Sequence, residues 1–311
     1  MVEQVCRASV IAMLALSFVA CNGVVSAGPL EDGEAAFSRG DYATAQRLWR
    51  VLAEQGDAKA QLRLGSMYES GKGVVQNYVE AARWLRLAAE QGNAAAQFGI
   101  GFMYSKGQGV AQDFKEAVRW YLLSAAQGYR DAQHNLGVMY GTGNGVAQDY
   151  KEALKWNQLA AEQGDAYAQS TLGAMYYGGQ GVTQDFIEAV KWYRLAAGQG
   201  DAAAQNDLGW MYTDGQGVIQ DFIEAVKWYR LAASQGNAQA QSNLGLMYAK
   251  GDGVTQDNVR AHMWWNIAAT QGDAHAVKNL DVVSKRMTAQ QIAEAQAMAL
   301  KCTVSNYKQC D

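Results

Sequence analysis

Few residues in this chain have the types and spacing that chemistry needs. Ser305-Asn306-Tyr307-Lys308 has the Ser-x-x-Lys form in which lysine serves a nucleophilic serine in penicillin-recognising enzymes. It stands without companion motifs inside a short stretch bounded by Cys302 and Cys310, and reads as coincidence. Six Gly-x-Gly-Val segments, the first being Gly71-Lys72-Gly73-Val74, invite a phosphate-cradle reading. A cradle wants a strand before the glycines and a further Gly, or Gly-Lys-Ser/Thr, after them. Here helical patterns flank each segment and valine follows, so each reads as a turn with its valine tucked underneath. His134, His262 and His275 are scattered, and none has a second ligand at i+3 or i+4. No Gly-x-Ser-x-Gly elbow is present. Paired carboxylates exist, but each falls at a helix start, where it acts as a cap. Neither catalysis, a metal nor a cofactor is expected.

Composition bears on fold class and on partners. A single proline, Pro29, 33 glycines, 49% hydrophobic and 18% charged residues describe an ordered, helical chain. The formal net charge of −4 gives no footing for nucleic acid, which needs clustered Lys and Arg. The apolar run Ala8–Ala20, preceded by Arg7 and followed by Val25-Ser26-Ala27, is too short to span a membrane. It reads as a signal peptide over 1–27, cleaved after Ala27. The alternative is lipoprotein processing at Phe18-Val19-Ala20-Cys21, which would leave a lipid anchor on Cys21. With Cys6 and Cys21 in the leader, Cys302 and Cys310 are left to form one disulfide in an oxidising compartment, periplasmic or secreted. A loop that short would stabilise the tail by about 2.6 kcal/mol.

What positions the remaining side chains is an internal repeat. Gln-Gly recurs at Gly56, Gly92, Gly128, Gly164, Gly200, Gly236 and Gly272, always 36 residues apart. Between these marks runs one template: Ala-x-Ala-Gln, Leu-Gly-x-Met-Tyr, Gly-x-Gly-Val, Gln-Asp-aromatic-x-Glu-Ala, then Trp and Ala-Ala. The spacing predicts an all-α solenoid of helix-loop-helix units. Asp57, Asn93, Asp165, Asp201, Asn237 and Asp273 are N-caps of the first helices, and Tyr129 breaks the rule. Asp113 with Glu116 predicts a capping box on the second helix, repeated at Asn77/Glu80, Asp149/Glu152, Asp185/Glu188 and Asp221/Glu224. Asp257/Arg260 departs from it. In the first helix Ala60, Gln61, Leu64, Met67 and Tyr68 share one half of the wheel, with Gly65 at its border. In the second, Trp84, Trp120, Trp156, Trp192, Trp228 and Trp264 form a ladder, read as packing rather than carbohydrate stacking.

The ends depart from the template, as an open stack requires. Residues 28–56 form a shortened opening unit in which Trp49 sits one place off the ladder, and six full units occupy 57–272. In the capping segment 273–311, Asp281, Val283 and Ser284 suit a solvated last face, Thr288 with Gln291 opens a final helix to about Leu300, and the disulfide pins its end.

The Ala-x-Ala-x-x-x-Leu-Gly-x-x-Tyr, Gly-x-Gly-Val and Trp-x-x-x-Ala-Ala pattern resembles the Sel-one-like repeat family, a relative of the tetratricopeptide repeat. The resemblance implies a right-handed superhelix that binds partner proteins. It also implies an envelope role for a bacterial member, in signalling regulation, exopolysaccharide assembly or host contact. Cysteine-rich members have been linked to penicillin binding or β-lactam hydrolysis, but they carry cysteine pairs in their repeats and this chain does not. A monomeric, non-enzymatic scaffold for a protein or peptide partner is therefore expected. The alternatives are a β-lactamase-like envelope hydrolase and a lipid-anchored factor for polysaccharide export.

Partner contacts are expected where the copies differ, at positions 59, 62, 66 and 69 of the first helix and their equivalents. By resemblance to tetratricopeptide arrays this is the concave face. It reads Leu62, Phe98, Phe102, His134, Tyr167, Tyr177, Asn206, Trp210 and Leu246, rich in the aromatics that dominate binding hot spots.

Overall fold

The computed structural model describes residues 28–308 and 310. The leader, with its cleavage site and Cys6 and Cys21, lies outside the described residues. These contain sixteen α-helices and no strand. The opening pair is α1 (Pro29–Ser38) and α2 (Tyr42–Glu54). Three pairs follow: α3 (Ala58–Ser70) with α4 (Tyr78–Glu90), α5 (Ala94–Lys106) with α6 (Phe114–Ala126), and α7 (Arg130–Thr142) with α8 (Tyr150–Glu162). Three more complete the array: α9 (Ala166–Gly178) with α10 (Phe186–Gly198), α11 (Ala202–Asp214) with α12 (Phe222–Ala233), and α13 (Ala238–Lys250) with α14 (Asn258–Thr270). The chain ends with α15 (Ala274–Ser284) and α16 (Ala289–Val304).

From α1 to α15 each helix packs on the next in sequence, so the pairs form a solenoid with a period of about 36 residues. Beyond that, α7 touches α9, α9 touches α11 and α13 touches α15, whereas no two successive second helices meet as extensively. The array therefore curves with the first helices of the units on its inner side.

Local chemistry sets the boundaries. The side chain of Asp57 accepts the backbone N–H of Ala60 at 2.8 Å, and the other Asp and Asn caps do the same. Tyr129 gives α7 no side-chain cap. The second helices depart from the expected capping box. Asp113 accepts from Lys115 and Glu116, but its own N–H is donated to the Tyr104 carbonyl at 3.0 Å. Glu116, with no donor left to reach back for, pairs with Arg119 at 3.0 Å. Only Thr288 and Gln291, opening α16, close a reciprocal box among the described residues.

Two neighbouring positions in the second helix hold the stack. The ladder tryptophans reach backwards: Trp84 is buried in the core of the α1–α3 region and Trp120 in that of α4 and α5. Trp156, Trp192 and Trp228 are half-buried against the unit before their own. The next residue plugs its own unit against the glycine of the first helix. A Cβ on Gly65, Gly101 or Gly209 would come within 2.7–2.9 Å of Leu85, Tyr121 or Tyr229. Trp49 belongs to this second register, not to a displaced ladder: it lies against Gly33, and its indole N–H donates to the Leu30 carbonyl at 3.3 Å.

Asn157 is the outlier in that register. It is buried, its amide donates to the Ala153 carbonyl at 2.9 Å, and its Oδ1 has no partner. An orphaned buried acceptor costs about 1–3 kcal/mol. Asn157→Leu, the residue type of Leu85, should therefore raise stability by about 1–2 kcal/mol in chemical denaturation. A neutral or negative change would mean that the site is too narrow for leucine.

At the far end α16 packs on α14, and Ala299, Cys302 and Cys310 join the terminal core. The helix runs four residues beyond Leu300, and Val283, expected on a solvated face, is buried there. Cys302 and Cys310 are bonded, with Cα atoms 4.5 Å apart.

Candidate binding groove

The inner face gathers the expected residues into two clusters and leaves two outside. In the first cluster Phe98 lies 5.7 Å from Tyr121, 5.2 Å from Tyr129 and 6.3 Å from Phe102, ring centre to ring centre. Both phenylalanines are half-buried against the α6–α7 core, so packing claims part of each ring. His134 and the exposed Tyr167 are 6.1 Å apart beside them, around a pocket of about 510 Å³. Asp165 lies in this pocket with Arg130 at 3.5 Å and the His134 imidazole at 3.6 Å.

Three successive inner helices build the second cluster. Tyr177 from α9 and Trp210 from α11 meet edge to face, 5.5 Å apart with planes at 90°. They line a pocket of about 320 Å³ with Asn206 and Asp207 from α11, Asn243 from α13 and Tyr193 from α10. Asn206 is buried, not the free surface residue its variability suggested; it donates to Asp207 at 3.1 Å and accepts from Asn243 at 3.1 Å. Tyr193 lines the pocket beside Asp207. Desolvation holds the Asp207 carboxyl above the usual range, and the Asp201 charge adds to this against the Asn206 hydrogen bond. Tyr193 is raised too, by burial first and by the Asp207 charge second. Leu62 packs under the α4–α5 core, and exposed Leu246 lies on α13; neither lines these two pockets.

Asp207 was legible and overlooked. Its register reads Arg63, Gly99, Asn135, Thr171, Asp207 and Asn243, so it varies between units as the partner-contact positions do. On a helical wheel it falls just beyond position 59, between the variable face and the core position of Met67.

The residues weighed for catalysis are placed otherwise. The Ser305 hydroxyl donates to the Cys302 carbonyl at 2.8 Å in the turn that ends α16. His262 is buried in α14, with its pKa lowered by desolvation, and His275 is exposed on α15. Among the described residues no three His, Cys, Asp or Glu side chains gather as metal ligands, and no helix is long and apolar enough to cross a membrane.

The profile of the Sel1 repeat matches six consecutive segments, 58–93, 94–129, 130–165, 166–201, 202–237 and 238–273. Among solved structures, a protective antigen of uropathogenic Escherichia coli strains displaying an SLR fold is 38% identical, with a TM-score of 0.74. That match covers 85% of this chain and 56% of the antigen's, so the chain spans little more than half of that relative. A Sel1 repeat protein from Oxalobacter formigenes is 34% identical with a TM-score of 0.70, over 78% of this chain and 97% of its own. No functionally curated protein matches.

Proposed function

The chain belongs to the Sel1 repeat family, whose members are generally protein-interaction scaffolds, and from that premise we propose that it is a non-enzymatic scaffold of the bacterial envelope. It holds an extended protein or peptide segment along the inner face of its first helices. The observation that carries this reading is the convergence of Tyr177 and Trp210, one repeat apart, on a pocket of about 320 Å³. Aromatic side chains of this kind anchor protein interfaces, and the stacking of the units needs no large side chain at either position. An exported location is supported by the bonded Cys302–Cys310 pair and by the leader pattern, with cleavage after Ala27 and a mature chain starting at Gly28.

The test is capture of partners from envelope extract by the mature chain, with Trp210→Ala alongside. Affinity for the retained partner should fall by about 30-fold, the size of a 2 kcal/mol hot spot, with helical content unchanged. Equal retention by both chains would sink the groove reading, as would a variant that loses its helicity together with its binding.

A further inference from the structure

The inner face carries three pockets with a charged residue in them, and two of those contain their own counter-ion. At the opening end Arg63 is paired with Glu34 at 2.6 Å, and in the middle Asp165 has Arg130 at 3.5 Å. The third does not. Asp207 receives a hydrogen bond from Asn206, with Tyr193 beside it in the pocket, and no Lys, Arg or His among the described residues pairs with it. An ionised carboxylate offers about four acceptor sites, so this one has room for more donors. Taking it out of water without a counter-charge is costly, which is why its pKa is pushed up rather than down.

The walls around it suit the missing charge. Trp210 and Tyr177 stand at right angles, and no cation of the described chain lies over either ring. Elsewhere the protein uses such rings for that purpose: Arg119 lies 4.5 Å from the Trp120 ring centre and Arg83 4.9 Å from that of Trp84. The combination is also unique within the array. The equivalents of Trp210 are Ser66, Phe102, Val138, Ala174 and Leu246, and those of Tyr177 include Glu69, Ser105 and Gly141. No other unit has large rings at both of these positions together with a carboxylate at the position of Asp207, so the fold does not demand them.

We infer that the Asp207–Tyr177–Trp210 pocket takes the cationic side chain of a Lys or Arg in the bound segment. The carboxylate supplies the counter-charge and hydrogen-bond acceptors, while the two rings supply faces for the cation and its methylene stem. The pocket, at about 320 Å³, is at the small end of ligand sites and suits one side chain. This deepens, and rests on, the groove reading above, and it sets which residue the partner must present.

The probes are N-acetyl-arginine methylamide, its lysine analogue, and the citrulline analogue, which keeps the shape of arginine without its charge. Binding to the whole chain is followed by the indole N–H resonance of Trp210, assigned by its loss in Trp210→Leu. Both cationic probes should bind at least tenfold more tightly than the citrulline analogue, and Asp207→Asn should abolish that preference. If Asp207→Asn loses its helicity, Tyr177→Leu serves in its place, and the affinity for the cationic probes should fall severalfold. Equal binding of citrulline and arginine, retention of the preference in Asp207→Asn, or no shift with any probe would overturn the inference. A captured partner that survives Asp207→Asn but not Trp210→Ala would remove this pocket and keep the groove. Cationic probes that bind while no partner depends on Trp210 would do the reverse.

Discussion

Gly217→Ala should lower the stability of the array by about 3 kcal/mol or more, a fall of roughly 6–12 °C in Tm. Two effects act together at this second glycine of the loop joining α11 and α12. Its φ is +69°, in the left-handed region where an alanine costs about 1 kcal/mol. The larger effect is contact, because an added Cβ would fall far inside van der Waals distance of the Phe186 carbonyl and the Ile187 nitrogen. Those are backbone atoms at the start of α10, in the preceding unit, and they cannot turn aside as a side chain would. Gly109, Gly145, Gly181 and Gly253 meet the preceding second helix in the same way. The control is Gly200→Ala, with a φ of +94° but no atom within 4 Å of the new Cβ, expected to cost only about 1 kcal/mol. Both are read by thermal unfolding followed by circular dichroism. Equal losses would mean that the glycines serve turn geometry alone.

That loop shows what the sequence made legible and what it did not. The 36-residue register, the Asp and Asn caps and the glycine turns depend on residues a few places apart, and each is found where the pattern placed it. Features that depend on which neighbour arrives were less visible. Glu116 looked like half of a capping box until the Tyr104 carbonyl took the N–H it would have reached. Trp49 looked displaced because the opening loop is shorter, yet it is the ordinary plug against Gly33. Val283 looked solvated because nothing local announces that α16 folds back over α14. The groove divides along the same line. The side on which Phe98, Tyr177 and Trp210 lie follows from helical periodicity. The meeting of Tyr177 with Trp210 and the inclusion of Asp207 come from the stacking of α9, α11 and α13, a distance in space that one helical wheel does not contain.

Gln205→Leu should cost about 2 kcal/mol, although it exchanges a polar core residue for an apolar one of similar size. Gln205 is 4% exposed, and its amide donates to the Ala197 carbonyl at the end of α10 at 3.1 Å. Its own carbonyl accepts from Gln235, just past α12, at 2.8 Å. One side chain thus fastens the preceding second helix, its own first helix and the end of its own second helix. The same pair recurs as Gln97 with Gln127, Gln133 with Gln163, Gln169 with Gln199 and Gln241 with Gln271. This gives the glutamine of each Gln-Gly from Gln91 onward a role beyond the turn, since it is the outer half of a zipper between units. Leucine adds burial but strips both partners at once. Ala197 keeps the N–H of Gly200 at 3.0 Å, and the Gln235 side chain is exposed enough to turn to water, which holds the loss near 2 kcal/mol. The double variant Gln205→Leu/Gln235→Leu should then cost no more than the single one, because no amide remains to be stranded. If urea unfolding gave additive losses, the two glutamines would act independently. If Gln205→Leu were stabilising, the zipper would hold register at the expense of stability.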